Sequence, residues 1–329
     1  MTSNHSITQE PLVSVVICSF NRENTIFQTI DSILSQQCDF FFEIIIGDDC
    51  STDGARELCL NYKQRFPEIF KLVFQTENYG LGKNWALAVK EARGRYLAFC
   101  DDDDYWHNPN KLQMQFDFLE KNKDYGMVHT EIDLLVEPQK KIVKNNNLNK
   151  YIPQGYLFYE IFKGKVPICF SSSFIRKDAI DKYLPLDLYI QHCFNIQDWP
   201  TWMFIAKHVK IGYLNISTTT YRTGHSSISN TNSKKKIEEK LEKDQFMYQL
   251  ICSYFPNDLT YNEREYILYK LGILLNFAYK QNQYRSAKKY ACRLKNLGCN
   301  NLKVKATTNI FLFKLVRFLK KNRAILQYM

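Results

Sequence analysis

The chain has 329 residues, a length that favours two domains or one domain with an extension. Hydrophobic residues make up 45% and aromatic residues 15% of it, which excludes a globally disordered chain. No apolar run approaches the ~20 residues that a membrane-spanning helix needs. The polar stretch 1–10 lacks an apolar signal core, so we expect an N-terminal tail on a cytoplasmic protein.

The positive charge lies at the C-terminal end of the chain. The formal net charge is +10, yet residues 270–329 hold 14 Lys or Arg and no Asp or Glu, which leaves −4 for the rest. Because residues 1–269 are slightly acidic and contain no known nucleic-acid-binding motif, we expect no nucleic-acid partner. Ten cysteines without a C-x-x-C pair favour reduced, mostly buried thiols over disulfides or zinc.

From Pro11 the N-terminal half alternates strand and helix patterns. This alternation predicts an α/β fold with an open sheet, whose ligands bind beyond the carboxyl ends of the strands. The apolar, β-branched runs predict strands at Val13–Cys18, Phe42–Gly47, Leu72–Gln75 and Tyr96–Cys100. Helical spacing predicts helices at Asn24–Gln36, Ala55–Phe66 and Gly82–Ala92, the second capped by Ser51.

The C-terminal half carries weaker strand signals. Residues 136–150 are rich in Lys and Asn and read as a loop, and 151–229 continue as mixed structure. Residues 234–329 contain long helical patterns, so we expect a helical extension there.

Acidic residues follow two of the predicted strands. The four carboxylates of Asp101–Asp104 repel one another directly after a buried strand, and such a cluster favours a bound cation. Mg²⁺ is usually held by one or two carboxylates together with substrate phosphates. A solvated acidic loop that caps a helix is the alternative interpretation.

Two further carboxylates stand at the ends of predicted elements. Asp49 follows the second strand and is suited to accept from a base N–H or a ribose hydroxyl, while Ser51 or Asp53 can cap the next helix. Asp198 precedes an apparent helix over Pro200–Lys207, where it is either an N-cap or a general base that faces the pocket.

Several ordered motifs together resemble glycosyltransferase family 2, over about Leu12 to Ser229. The motifs are Val15–Arg22, Phe42–Gly54, Glu77–Asn84, Gly94–Asp104 with Pro109 and Leu112, Gln197–Trp199, and Tyr221-Arg222. The resemblance implies the GT-A fold, a Rossmann-like open mixed sheet flanked by helices, with a C-terminal helical extension. We therefore divide the chain into a tail (1–10), a transferase domain (11–229; donor half 11–106, acceptor half 107–229) and a basic extension (230–329).

The resemblance also implies an inverting transfer from a nucleotide sugar. It assigns the catalytic base to Asp198 and the contact with the nucleotide base to Asp49, and it assigns the D-x-D-D signature to Asp101, Asp103 and Asp104. The donor set that it implies is Ser19, Asn21, Arg22, Asp49, Lys83, Asp101, Asp103 and Arg222. Its metal set for Mn²⁺ or Mg²⁺ is Asp103, Asp104 and, one position later than in the family motif Tyr-Arg-x-His, His225. Three other positions depart from the family: Gln197 replaces a frequent Glu, Cys50 a Gly or Asn, and Asp102 a small residue.

The basic C-terminal stretch predicts a cationic amphipathic helix over Ile310–Leu326. Its apolar stripe comprises Phe311, Leu315, Phe318, Leu319 and Leu326, with Phe313 and Val316 outside it. Two interpretations stand: peripheral attachment to an anionic membrane, and a helix packed on the body with a solvated basic face.

Together these features predict a metal-dependent glycosyltransferase that moves a sugar, from a UDP-sugar, to a saccharide or lipid-linked acceptor at the inner face of the cell membrane. One alternative is a sugar-nucleotide nucleotidyltransferase, which would need a Gly-rich basic loop where Ser19–Arg22 stand. The other is a non-catalytic membrane scaffold with a degenerate transferase domain, which the retained aspartates disfavour.

Overall fold

The computed structural model describes residues 10–137, 139–144, 151–224, 233–299, 301–307, 309–310 and 313–314. The chain forms two compact units, Met1–His225 and Ser226–Met329. The boundary predicted at 229/230 falls in the stretch 225–232, outside the described residues.

A mixed, curved arrangement of strands forms the centre of the first unit. Its described strands are β1 (Val13–Ser19), β2 (Phe42–Asp48), β3 (Phe70–Phe74), β4 (Tyr96–Asp101), β5 (Tyr105–Trp106), β6 (Tyr125–Val136), β7 (Lys141–Val143), β8 (Ser173–Arg176) and β9 (Lys210–Thr223). They pair in the order β3-β2-β1-β4-β8-β6-β9-β5, with β7 beside β6. The first four strands in this order are parallel, while β8 runs antiparallel to both β4 and β6. The predicted α/β architecture is confirmed.

Helices connect these strands. They are α1 (Ile26–Leu34), α2 (Ala55–Arg65), α3 (Leu81–Lys90), α4 (Lys111–Lys121), α5 (Phe158–Phe162), α6 (Lys177–Tyr183), α7 (Leu186–His192) and α8 (Asp198–Ala206). The successive residues Val15 and Val16 of β1, and Ile44 and Ile45 of β2, are all buried, as the continuous apolar runs predict for strands covered on both faces. Each large apolar side chain buried there contributes about 1.5–3 kcal/mol to folding.

Three local predictions need correction. Ser51 does not cap α2, because its hydroxyl accepts a hydrogen bond from the backbone N–H of Asn21 (2.9 Å) and the helix begins after Gly54. The predicted loop 136–150 contains β7, since Leu134–Val136 extend β6 far enough to pair with it. The ten cysteines are free thiols, but only four are buried and Cys292 is exposed.

The second unit is helical in its described part, as predicted. It comprises α9 (Lys234–Tyr254), α10 (Glu263–Lys280), α11 (Tyr284–Asn296) and α12 (Leu302–Thr307). Side chains of Ser233 and Asn262 cap α9 and α10 by accepting hydrogen bonds from the N–H groups of Lys236 and Glu265. Among the described helices of both units, none is long and apolar enough to cross a bilayer.

Most of the predicted C-terminal amphipathic helix lies outside the described residues, including Phe311, Leu315, Phe318, Leu319 and Leu326. Phe313 is described and almost fully buried. Its ring lies 4.4 Å from that of Tyr279 and 5.2 Å from that of Tyr284, centroid to centroid. The start of this segment therefore belongs to the core of the helical unit.

Candidate active site

The carboxyl ends of three parallel strands bring several predicted site residues to one edge of the sheet. In the register of β1 and β2, Ser19 lies opposite Asp48, and in that of β1 and β4, Cys18 lies opposite Asp101. Chain segments that follow these strands must therefore start side by side. This edge carries the acidic residues that the sequence singles out.

The acidic turn after β4 is the centre of the site. The backbone N–H of Asp104 donates to the carbonyl of Asp101 (3.1 Å), which closes a turn around Asp102 and Asp103. Asp104 is 1% exposed, and both of its carboxylate oxygens are engaged. One accepts from the Ser171 hydroxyl (2.5 Å) and the other from the backbone N–H of Arg222 (2.9 Å).

Crowding of carboxylates shapes the electrostatics of this turn. Burial, reinforced by neighbouring carboxylates, raises the pKa of Asp101 and of Asp104 well above the usual value. Burial and the charge of Asp103 likewise raise the pKa of Asp102 to about 7. The turn therefore favours a bound cation.

Arg22 supplies part of the required positive charge from within the protein. Its guanidinium lies 3.5 Å from a carboxylate oxygen of Asp102 and 3.6 Å from one of Asp103. The backbone N–H of Phe20 also donates to Asp102 (3.2 Å). Arg22, which the sequence analysis predicts to bind the nucleotide sugar, thus lies within the acidic cluster.

Asp49 organises the loop before α3. Its two carboxylate oxygens accept from the backbone N–H groups of Tyr79 (2.7 Å) and Gly80 (2.9 Å). Burial raises the pKa of Asp49, while these hydrogen bonds and nearby Lys83 oppose the rise. The Lys83 ammonium lies 3.5 Å from the centroid of the Tyr79 ring. Asp49 and Lys83 therefore flank one loop at the site.

Asn21 joins the loops that follow β1 and β2. It adopts a left-handed backbone conformation with φ of 55°, which Asn tolerates better than most residues. Its side-chain oxygen accepts from the backbone N–H of Thr52 (2.8 Å). Ser19, at the end of β1, is buried beneath this junction.

Asp198 is the first residue of α8, after the N-cap Gln197. The Gln197 side-chain amide donates to a carboxylate oxygen of Asp101 (3.2 Å), which ties the start of α8 to the acidic turn. The negative charge of Asp198 contributes to the raised pKa of Asp101. One oxygen of Asp198 accepts from the backbone N–H of Trp199 (2.7 Å). The predicted base thus lies close to the acidic cluster.

Arg222 is bound mainly to protein groups. Its guanidinium donates to the carbonyl of Asp103 (2.9 Å) and to the side chains of Glu137 and Gln28 (both 2.7 Å). These bonds make it an anchor for the acidic turn, so a contact with donor phosphates stays a prediction. His225 lies outside the described residues.

The carboxylate oxygens of the acidic turn are the possible ligands of a divalent metal. Among the described residues, no group of three or more His, Cys, Asp or Glu side chains is arranged as a metal site. The side chain of Asp103 is 15% exposed and lies 3.6 Å from the Arg22 guanidinium, whereas Asp104 is only 1% exposed. Since Mg²⁺ needs only one or two carboxylates when substrate phosphates complete its shell, Asp103 fits the role.

Ser171 is a residue of the site that the sequence does not single out. It belongs to the 3-10 turn Phe170–Ser172 and is fully buried under the acidic turn. Only the run of three serines in the segment 167–174 hints at it, and nothing local in that run distinguishes Ser171 from its neighbours. Its contacts are long-range ones.

Comparison with known proteins identifies the family. The family model "Glycosyl transferase family 2" matches residues 14–184. TuaG of Bacillus subtilis, named as a putative glycosyltransferase of teichuronic acid biosynthesis, is 30% identical over 254 residues, covering 74% of this chain and 93% of TuaG. WfgD of Escherichia coli, named as a UDP-Glc:α-D-GlcNAc-diphosphoundecaprenol β-1,3-glucosyltransferase, is 29% identical and covers 68% and 82%. An uncharacterized Mycobacterium tuberculosis protein is 33% identical over 129 residues, and this match spans only 37% of that protein's length.

Solved structures support the fold. S. aureus TarS residues 1–349, in complex with UDP-GlcNAc, matches with a TM-score of 0.57 at 18% identity, over 85% of this chain and 80% of that one. A mannosyltransferase of Pyrobaculum calidifontis in complex with GDP-Man and Mn²⁺ matches with a TM-score of 0.53 at 14% identity, over 96% and 80%. The first unit therefore has the GT-A fold, and the chain belongs to glycosyl transferase family 2.

Proposed function

We propose that the chain is a metal-dependent, inverting glycosyltransferase. It moves a sugar from a UDP-sugar to a saccharide or lipid-linked acceptor during assembly of cell-surface polysaccharide. The observation that carries this proposal is the hydrogen bond between Gln197 and Asp101, which sets the start of α8, and with it Asp198, beside the acidic turn. Names of relatives support the donor and the pathway, since WfgD is named for UDP-Glc and TuaG for teichuronic acid.

The donor would lie along the carboxyl edge of β1, β2 and β4. Asp49 is the group that recognises the base, and its pair of backbone hydrogen bonds holds the carboxylate still. Ser19, Asn21, Arg22 and Lys83 border the same edge and complete the proposed donor set with Asp101 and Asp103. Backbone and side-chain N–H groups at this edge can donate hydrogen bonds to a ligand that carries negative charge.

Charge balance at the diphosphate is the second requirement. A Mn²⁺ or Mg²⁺ ion held by Asp103 and the donor phosphates would neutralise charge on the departing nucleoside diphosphate. Asp104 stays a predicted ligand, but its deeper burial favours Asp103 for the direct contact. Arg22, at 3.6 Å from Asp103, adds fixed positive charge at the rim.

The transfer itself needs a base for the acceptor. Asp198 takes the proton of the acceptor hydroxyl while the oxygen of that hydroxyl forms a bond to the anomeric carbon of the donor sugar. The bond from that carbon to the diphosphate oxygen breaks on the opposite face, and its electron pair leaves with the nucleoside diphosphate. Displacement from the opposite face inverts the anomeric configuration, and one general base is sufficient for it.

A panel of nucleotide sugars tests the proposal. Thermal unfolding is followed with each candidate in the presence of Mn²⁺ and again with EDTA. Because a ligand at 100 times its Kd stabilises the folded state by about 2.7 kcal/mol, the true donor should raise the Tm clearly. A panel without any metal-dependent shift would contradict the proposal. A shift with a nucleoside triphosphate and a sugar 1-phosphate would favour the nucleotidyltransferase alternative.

We further propose that the enzyme works at the inner face of the cell membrane and that α11 provides the contact. Its buried side chains, Ala287, Tyr290, Ala291 and Leu294, belong to the core of the helical unit. The opposite, exposed face carries Arg285, Lys288, Lys289, Arg293 and Lys295. Residues 270–329 contain no carboxylate side chain to offset these charges. Each such cation near an anionic surface contributes about 1 kcal/mol at low salt.

Charge reversal on α11 tests the membrane contact. The variant Arg285→Glu/Lys289→Glu/Arg293→Glu should lose sedimentation with vesicles that contain about 30% anionic lipid, because the negative surface potential of such vesicles would then repel the helix. A matched control changes the exposed residues Lys121, Lys163 and Lys165 of the first unit to Glu. Equal binding by both variants, or a wild type that ignores anionic vesicles at low salt, would contradict a membrane contact through α11.

A further inference from the structure

Ser171 connects both ends of the acidic turn. Its hydroxyl donates to a carboxylate oxygen of Asp104 (2.5 Å) and accepts from the backbone N–H of Asp101 (3.0 Å). The side chain is fully buried, so water does not replace either bond. One hydroxyl therefore spans the first and the fourth residue of the turn that contains Asp103.

The backbone of Ser171 is fixed as firmly as its side chain. Its carbonyl accepts from the indole N–H of Trp106 (2.8 Å) and from the hydroxyl of Thr219 (3.3 Å). Gln115 donates to the carbonyl of the next residue, Ser172 (2.8 Å). Residues from β5, β9 and α4 thus converge on one 3-10 turn, and this convergence leaves the Ser171 hydroxyl little freedom to move.

The flanks of Asp103 are consequently held while its own side chain stays at the rim. Asp101 and Asp104 are both anchored to Ser171, and Arg222 binds the carbonyl of Asp103 itself (2.9 Å). Carboxylates that hold a metal act well only when neighbouring hydrogen bonds orient them. Without the hydroxyl, four adjacent carboxylates would have one fewer donor to resist their mutual repulsion.

We infer that Ser171 is a positioning residue that sets the geometry in which Asp103 meets the metal and diphosphate of the donor. The inference rests on the proposed function, since it concerns the same site. It assigns Ser171 no contact with the substrate. Groups that orient metal-binding carboxylates typically change metal affinity by about 10–100-fold when they are removed.

The test compares alanine substitutions at three consecutive serines. Ser172 and Ser173 are also fully buried, but their hydroxyls donate to the nearby carbonyls of Cys169 (2.8 Å) and Phe170 (2.6 Å). Ser172→Ala and Ser173→Ala therefore remove an equally buried hydroxyl from the same segment without touching the acidic residues. They are matched controls for Ser171→Ala.

Calorimetry measures the affinity of each full-length variant for UDP, with Mn²⁺ and with EDTA. Ser171→Ala should weaken the Mn²⁺-dependent affinity by about 10–100-fold and leave the metal-free affinity unchanged, since Asp49 is untouched. In donor kinetics the loss should fall on KM more than on kcat. The two control variants should bind as the wild type does.

A second variant covers the case in which Ser171→Ala does not fold. Ser171→Cys has nearly the same shape but only a weak donor, so it should show the same selective loss. Equal Mn²⁺-dependent affinity in Ser171→Cys and the controls would overturn the inference and leave the proposed function intact. A wild type that binds no UDP under any condition would remove the proposed UDP-sugar donor and the inference with it.

Discussion

Replacement of Asp198 by Asn isolates the proposed base. The two side chains have the same shape, and the amide oxygen can still accept the hydrogen bond that Trp199 donates to Asp198 at 2.7 Å. The contact between Gln197 and Asp101 does not involve residue 198 and should persist. The substitution therefore removes the basicity and the negative charge of this side chain and keeps its shape.

The expected effect falls on turnover. Loss of a general base typically lowers the rate by about 10²–10⁴-fold, which corresponds to roughly 3–5 kcal/mol of activation free energy. Donor affinity should stay the same or rise slightly, because Asp198 adds negative charge beside Asp101, and the donor diphosphate is itself negative. The signature is a low kcat with an unchanged donor KM.

Initial rates of nucleoside diphosphate release measure kcat and KM, and calorimetry measures donor affinity. The control is Asp178→Asn, which alters an exposed first-turn carboxylate of α6. This helix follows β8, whose Arg176 pairs with Tyr96 at the start of β4, so Asp178 lies near the opposite edge of the sheet. Wild-type turnover in Asp198→Asn would refute the assignment of the base.

Substitutions at four other positions give further predictions. Asp103→Ala should abolish the Mn²⁺ dependence of UDP binding in calorimetry, whereas Asp104→Ala should mainly lower stability, by about 1–3 kcal/mol, since the partners at Ser171 and Arg222 lose their acceptor. The reverse pattern would return the metal to Asp104. Asp49→Ala should weaken UDP binding with and without metal, and an effect seen only with Mn²⁺ would contradict its role at the base. Burial lowers the pKa of Lys111 from 10.5 to about 7, so between these values the unfolded chain binds more protons at this residue, and Lys111 itself should contribute a rise in stability from pH 7 to pH 9. Urea unfolding of Lys111→Met should show a smaller rise, and an equal rise would refute a neutral buried lysine.

Much of the first unit could be predicted because its signals are local. The apolar runs of β1, β2 and β4 are buried on both faces, and a continuous β-branched run requires no knowledge of the partner strand. The carboxylates at the strand ends follow from the same pattern, since parallel strands finish at one edge. Asp49 and Asp101 could therefore be predicted to lie at the same edge of the sheet.

Other features depend on contacts between distant parts of the chain. Ser51 is of a residue type that often caps helices, yet its hydroxyl accepts a hydrogen bond from the backbone N–H of Asn21, which lies 30 residues away in the sequence. Arg222 stays a predicted donor-binding residue, but its hydrogen bonds to Gln28 and Glu137 join distant parts of the chain and could not be predicted. Ser171 differs from Ser172 and Ser173 only in its hydrogen bonds to the acidic turn after β4, and the local sequence does not contain them. Propensity and spacing contain no information about such partners.

The anomeric configuration of the transferred sugar tests the central claim most directly. The donor identified by thermal shift is incubated with the enzyme, Mn²⁺ and a panel of saccharide and lipid-linked acceptors, and proton NMR determines the linkage in the product. We expect a single glycosidic linkage whose anomeric configuration is opposite to that of the donor, formed by the wild type and lost in Asp198→Asn. Retention of configuration, or equal transfer by the two proteins, would contradict a direct displacement assisted by Asp198.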